Sequence, residues 1–222
     1  ADAGVKTVAM EVTSPALAQG RVAGLVLDLG VMTNLVPDEH LDFHGTPEHY
    51  LATKARFFDL LADGVPVIAN GDDPLVREMV ADKTRARPRP IVWATTEDRA
   101  DADVCACDLT WDGSGSRFTL DVRRALPGIA GRTVPPVQVP LALPVFGVQQ
   151  VENATLAATA ALLAGASPDG LAQAVAGVAQ VRRRMQVLRA SGPTIVDDTS
   201  GHPETLRAVF ASVRVLPHRA LR

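Results

Sequence analysis

The 222-residue sequence is poor in aromatic residues (4%), holds only Cys105 and Cys107 as cysteines, and has no excess of basic charge. Each shortage excludes something. Two cysteines two positions apart offer no disulfide framework, so a reducing cytoplasm is the expected compartment. They also lack the second ligand pair of a zinc site and read as two residues of a strand. A formal net charge of -3 implies no basic face, and nucleic acid is not an expected partner. No apolar run approaches a membrane span and no signal-peptide pattern opens the chain, so no membrane partner is expected either. A phosphate-binding loop is missing as well: Gly4-Val5-Lys6-Thr7 lacks the leading glycine and the glycine before the lysine. What remains is ordinary globular composition, 47% hydrophobic and 21% charged, enough for one large domain or a domain plus a stub. The chain opens without methionine and stops just after a helical pattern. Both ends read as cut.

Strand-like and helical runs alternate through the first half. Val8–Val12 and Leu25–Thr33 read as buried strands, separated by a helical stretch over Ala16–Gly20. Pro47–Ala62 is amphipathic, with Tyr50, Leu51, Ala55, Phe58 and Leu61 near helical spacing and Pro47 suited to a first turn. Pro66–Asn70 predicts a strand closed by the turn Asn70-Gly71-Asp72-Asp73-Pro74, then Leu75–Ala81 a helix and Ile91–Ala94 a strand. Such alternation predicts an α/β fold with a mostly parallel sheet flanked by helices. From Val104 the pattern changes. Cys105–Thr110 and Arg117–Val122 around Gly113-Ser114-Gly115 predict an added antiparallel hairpin, and Pro127–Pro144 short extended pieces. Helices are predicted at Val151–Ala164 and Pro168–Val178, with Ser167 capping the second. A strand at Thr194–Asp198 and a helix at Pro203–Val213 read as the start of a further α/β domain.

Three features carry chemistry. The run from Thr33 to Gly45 packs Asp38, Glu39, Asp42, His40 and His44 into a loop just past a predicted buried strand, the edge where open α/β sheets bind ligands. It reads either as a site for a divalent metal or protons, or as a solvated acidic loop. A zinc site from His40, His44 and His49 does not match the common helical spacing. Glu11, inside an apolar strand, is either a metal ligand or an exposed strand end. Lys54, flanked by Ala52, Ala55 and Phe57, is either a partly desolvated amine or a snorkelling surface lysine.

Read together, the motifs resemble the Mur ligase family, most of all the branch that adds the third residue to the peptide of a UDP-N-acetylmuramoyl precursor. The resemblance rests on the run from Met10 to Val22 and on Thr33-Asn34 through His40-Leu41-Asp42-Phe43-His44-Gly45-Thr46. It continues in Ala52-Thr53-Lys54-Ala55-Arg56, Asn70-Gly71-Asp72-Asp73-Pro74, Val151-Glu152-Asn153-Ala154 and Arg184-Met185. It implies an ATP-dependent ligase forming an amide through an acyl phosphate. Its partners would be small molecules, a nucleotide-sugar peptide and an amino acid. The resemblance also implies residue roles. Glu11 and His40 hold magnesium, Lys54 is carbamylated and helps to position a metal, and Asn34 lies close to the reacting phosphate. Thr13 and Arg21 contact the nucleotide-sugar substrate. For ATP, Asn153 contacts adenine, Arg184 the phosphates and Asp198 the ribose.

The sequence also departs from the family pattern. Thr13-Ser14-Pro15 stands where the family has Ser-Ser-His, the loop Pro37-Asp38-Glu39-His40 has an extra residue, and Gln150 replaces an asparagine. Asp198-Thr199-Ser200-Gly201-His202-Pro203 replaces Asp-Tyr-Ala-His-Thr-Pro, which shifts the histidine by one place. The expected division is a central ATP-binding domain over 1–190, without its phosphate loop, and the beginning of a C-terminal ligase domain over 191–222. The isolated piece is expected to be inactive. Two other readings remain open: a related ligase acting on folate or an amino-acid polymer, and a non-catalytic nucleotide-binding module.

Overall fold

A computed structural model describes residues 4–38, 40–189, 192–201 and 203–216. In chain order the elements are α1 (Ser14–Ala18), β1 (Gly30–Met32), α2 (Leu41–His44) and α3 (Pro47–Ala55), with a 3₁₀ turn over Arg56–Leu60. Next come β2 (Val67–Asn70), α4 (Pro74–Ala86), β3 (Ile91–Thr95), β4 (Val104–Asp112) and β5 (Gly115–Val122). The short strands β6 (Leu126–Pro127) and β7 (Thr133–Val134) precede β8 (Val137–Leu143). Helices α5 (Val148–Leu163) and α6 (Pro168–Ala176) lead to β9 (Gln186–Arg189), β10 (Ile195–Asp197) and α7 (Pro203–Arg214).

The central sheet has the order β1-β2-β3-β4-β5-β8, parallel from β1 to β4 and antiparallel from β4 to β8. This is the mostly parallel sheet with an appended hairpin that the alternating pattern predicts. Side chains alternate across it. Ile68, Val92, Ala94, Val104 and Ala106 join the core beneath α5 and α6, whereas Val67 and Ala69 join the core beneath α3 and α4. Helices on both faces explain why β2 is buried at every position and why its sequence is continuously apolar until Asn70. A third cluster, Phe146, Met185 and Leu216 with Trp111, Val209 and Val213 against it, joins α7 to the main body. The Trp111 indole N–H donates to the Ser212 carbonyl at 3.1 Å.

Two predicted strands need correction. Val8–Val12 forms no strand: Val8 is 76% exposed and Met10 47%. An apolar run becomes a strand only where a neighbouring chain satisfies its backbone, and no described strand lies beside this one. Glu11 therefore stands exposed in coil, not inside a buried strand. Leu25–Thr33 contracts to Gly30–Met32, with a lone parallel bridge between Leu27 and Leu61 and with Leu25 and Val26 exposed. Smaller shifts follow capping chemistry. The first helix starts at Ser14, not Ala16, because the Thr13 hydroxyl accepts the Ala16 N–H at 3.2 Å. Asp73 caps α4 through the Leu75 and Val76 N–H groups, and that helix runs on to Ala86. The strand β9, paired antiparallel with β10, has no counterpart among the predicted elements.

Candidate active site

The parallel strands β1, β2 and β3 end at Met32, Asn70 and Thr95, and the loops after them meet at one edge of the sheet. Asp73 ties two of these loops, accepting the Leu35 N–H at 2.8 Å while its other oxygen caps α4. Asp72 ties the third: it accepts the Thr96 N–H at 2.7 Å, the Thr96 hydroxyl at 3.0 Å and the Thr95 hydroxyl. Asn70 in turn accepts the Asp72 N–H at 2.9 Å. The acidic pair in Asn70-Gly71-Asp72-Asp73-Pro74 is thus the clamp that holds the edge together. Glu152, from α5, enters the same small pocket beside Asn70, Asp72, Thr95 and Thr96. Burial first, then the charges of Asp72, Asp73 and Glu97, push its carboxyl up to about 7. Sequence reasoning assigned no role to Glu152. The signal was there, a carboxylate one helical turn from Val148 and Leu156 in a chain that also carries an Asp-Asp turn.

Of the predicted site residues, a first group, Thr13, His40 and Lys54, lies near His44. This imidazole is buried, and its Nε2 lies 2.9 Å from the Ser14 hydroxyl, next to the capping Thr13. Burial holds it below its ordinary pKa, helped by the charges of His49, His40 and Lys54 and opposed by Asp42. The His49 and Tyr50 rings lie 5.4 and 5.6 Å from the His44 ring, Lys54 lies over Tyr50, and α1 lies against α3. Lys54 is half-buried in the last turn of α3, its ammonium 6.0 Å from the centre of the fully buried Tyr50 ring. His40 is exposed in a left-handed conformation (φ 57°), and its carbonyl accepts the Phe43 and His44 N–H groups that start α2. Asn34 is exposed in the loop clamped by Asp73, and Arg21 is exposed beyond α1. Glu11 lies in coil two residues before Thr13.

A three-histidine zinc site does not form. His49 directs Nδ1 to the His44 carbonyl at 2.8 Å, and His44 is engaged with Ser14. Among the described residues no group of three or more His, Cys, Asp or Glu side chains is arranged to hold a metal.

The second group lines a cavity of about 380 Å³ between β8, α5 and α6. Its walls are apolar, chiefly alanines of α5 together with Leu143, Leu171 and Val175, while Gln150, Asn153 and Arg184 supply the polar groups. Asp198 joins through the backbone: its carboxylate accepts the Met185 N–H at 2.8 Å and the Ser200 N–H at 2.7 Å. Burial works to raise this carboxyl, but hydrogen bonds from Ser200 and Met185 and the Arg184 charge outweigh it and hold it below the ordinary value. Asn153, Arg184 and Asp198, distant in sequence, are thereby brought to one side of the molecule. His202 and Glu39 lie outside the described residues.

The family model described as the Mur ligase middle domain matches residues 1–161. The UDP-N-acetylmuramoyl-L-alanyl-D-glutamate--2,6-diaminopimelate ligase of Xanthomonas campestris is 33% identical over 215 residues, 96% of this chain and 40% of that protein. A UDP-N-acetylmuramyl-tripeptide synthetase of Roseiflexus is 33% identical over 229 residues, covering 97% of this chain and 42% of its own length. The chain therefore spans about two fifths of the curated relatives it matches. A solved UDP-N-acetylmuramoyl-L-alanyl-D-glutamate--2,6-diaminopimelate ligase superposes with a TM-score of 0.71 at 27% identity, over 94% of this chain and 40% of that one. The folylpolyglutamate synthetase of Lactobacillus casei shares the fold, with a TM-score of 0.58 at 18% identity over 84% of this chain and 42% of that one. With the family's motifs in order on the family's fold, and a match over most of its length, the chain belongs to the Mur ligase family.

Proposed function

We propose that this chain is the nucleotide-handling centre of an ATP-dependent ligase that adds an amino acid to a UDP-N-acetylmuramoyl-peptide acceptor during peptidoglycan precursor synthesis. In this reading residues 1–190 form the central domain, residues 191–222 open the C-terminal one, and the whole enzyme works in the cytoplasm. The observation that carries it is the pairing of two neighbourhoods. One joins the Thr13–Ser14 end of α1 to His40, His44 and Lys54, and the other is the apolar cavity bearing Asn153 and Arg184.

The cavity takes the adenine ring, with the Asn153 carboxamide at its polar wall. Arg184 faces the phosphates, where a guanidinium fork matches phosphate oxygens, and the ionised Asp198 accepts from the ribose. Asn34 stands beside the terminal phosphate, while Thr13 and Arg21 position the acceptor. Glu11 and Lys54 as its carbamate would offer the carboxylate-type oxygens that magnesium prefers, and His40 would complete the set. The half-buried setting of the Lys54 amine fits that modification, which needs the uncharged amine. Bound magnesium supplies positive charge where two anions must meet. The acceptor carboxylate attacks the γ-phosphate and ADP departs. The amino group then attacks the acyl phosphate, an amide forms and phosphate leaves.

In the full-length ligase, Lys54→Ala is expected to lower acceptor-dependent ATP hydrolysis on the order of 10³-fold, the scale of losing one group that organises transition-state charge. A short carboxylic acid in the buffer is expected to restore part of it. Unchanged turnover would remove Lys54 from the mechanism and this reading with it.

A further inference from the structure

Asp73 makes one bond more than its helix requires. It is the N-cap of α4, and because Pro74 follows it, the groups to be capped are the Leu75 and Val76 N–H. One carboxylate oxygen, Oδ1, accepts both, at 2.8 and 3.1 Å. The other, Oδ2, leaves the helix and accepts the Leu35 N–H at 2.8 Å, across 38 residues of chain. Serine and asparagine cap helices as well as aspartate does, but neither can do both jobs. A serine has a single oxygen on a shorter arm, and a carboxamide turns an NH₂ group toward one of the N–H donors. The second oxygen is what sets aspartate apart here.

The turn that carries this oxygen is firmly held. The Asn70 side chain accepts the Asp72 N–H at 2.9 Å, and the Gly71 N–H donates to the Ala94 carbonyl at 2.7 Å. The Arg77 Nε–H donates to the Gly71 carbonyl at 2.5 Å, while Arg77 is itself bound to Asp101 at 2.8 Å and lies over the Trp93 ring. The segment that Oδ2 reaches is held less well. The β1 strand pairs with β2 from Gly30 to Met32, and the residues from Thr33 to Val36 belong to no helix or strand. Asn34 is exposed in this stretch, whereas Leu35 beside it is buried in the core beneath α3 and α4. Asn34 thus hangs between the end of the β ladder at Met32 and the Asp73 bond at Leu35. Holding the Leu35 N–H holds the plane of the Asn34–Leu35 peptide, which limits the directions the Asn34 side chain can take.

We infer that Asp73 is a positioning residue for phosphoryl transfer, acting through the Leu35 N–H to aim the Asn34 carboxamide at the terminal phosphate. The inference rests on the ligase reading above, in which Asn34 stands beside that phosphate. In this role Asp73 touches neither nucleotide nor acceptor. It removes the freedom of a loop that would otherwise have to order itself as the phosphoryl group moves. Only placement is at stake, so ATP binding in the ground state, carried by the cavity around Asn153, does not depend on it.

The test is a double-mutant cycle in the full-length ligase, with kcat, the ATP KM and backbone amide hydrogen exchange measured on each variant. Asp73→Ser and Asp73→Asn both keep a good cap, so an aspartate that only capped α4 would lose nothing in either. The expected result is a fall in kcat of about 10²-fold in each, the scale of an ångström's misplacement, with the ATP KM within about twofold. The Leu35 amide is expected to exchange faster in both, while the Leu75 and Val76 amides keep their protection. Asn34→Ala is expected to lose kcat to a similar extent, and adding Asp73→Ser to it to change kcat by less than about twofold. Additive losses in the double variant would overturn the proposal and leave the ligase reading intact. So would a parental kcat in the serine and asparagine variants, or an unchanged Leu35 exchange rate. A parental kcat in Asn34→Ala would instead remove Asn34 from the reaction, and the proposal would fall with that part of the reading.

Discussion

The two neighbourhoods of this protein are built on opposite principles. Around His44, polar groups crowd together: a buried imidazole bonded to Ser14, with His40, His49 and Lys54 close enough to shift its proton affinity. Around Asn153, the site is a volume left open, because α5 presents Ala154, Ala157, Ala158 and Ala161 where larger side chains would fill it. The first depends on identity and charge, so a single polar change disables it. The second depends on shape, and only lost contacts or added bulk weaken it. The proposed reaction, which brings two anions together, would use both kinds, one to balance charge and one to hold the apolar end of the nucleotide.

The sharpest way to break this contrast is a double dissociation in the full-length ligase. Lys54→Ala, expected to lower turnover by about three orders of magnitude, is also expected to leave ATP affinity within about twofold. Asn153→Ala is expected to raise the ATP Kd about tenfold, the loss of one good polar contact, measured by calorimetry. Loss of nucleotide affinity in the lysine variant would merge the two neighbourhoods into one.

A smaller effect is expected at the acidic edge between them. Burial and the neighbouring carboxylates push the Glu152 carboxyl up to about 7 in the folded chain, from an ordinary value of 4.5. Its favourable contribution is thus complete below pH 4.5 and is lost as pH rises through about 7. Glu152→Gln, uncharged at every pH, is expected to gain roughly 2–3 kcal/mol over the parent at pH 8 and little at pH 4. Urea melts at the two values test this, and a gain independent of pH would contradict it. The smallest effect is at the cap. Thr13→Ala is expected to cost about 1 kcal/mol of stability by freeing the Ala16 N–H, while Thr13→Ser costs little. In the full-length ligase the same variant is expected to raise the acceptor KM and leave ATP affinity unchanged.

Much of this was legible in the sequence. Apolar runs such as Val67–Ala69 signalled buried parallel strands, and Ser167 and Pro168 marked the start of α6. The short motifs fixed the family, because their order is specific even where single residues differ. Less legible were the features that depend on a partner far along the chain. The run Val8–Val12 has strand composition but no described neighbour to pair with, so periodicity misread it and placed Glu11 in a strand interior. Glu152 looked like one polar residue in a helix, because the carboxylates that perturb it lie some eighty and fifty-five residues earlier, at Asp72, Asp73 and Glu97.

By itself the sequence determined the local elements, the alternation that makes a parallel sheet, and the chemical types available at each loop. Those properties follow from side-chain pattern and capping, which act over a few residues. Only the tertiary structure decided that Ser14 meets His44, that Asp72 clamps Thr95 and Thr96, and that Asn153 shares a cavity with Arg184. Burial and electrostatic coupling act through space, so their effects became fixed only when the packed sheet and its helices set those distances.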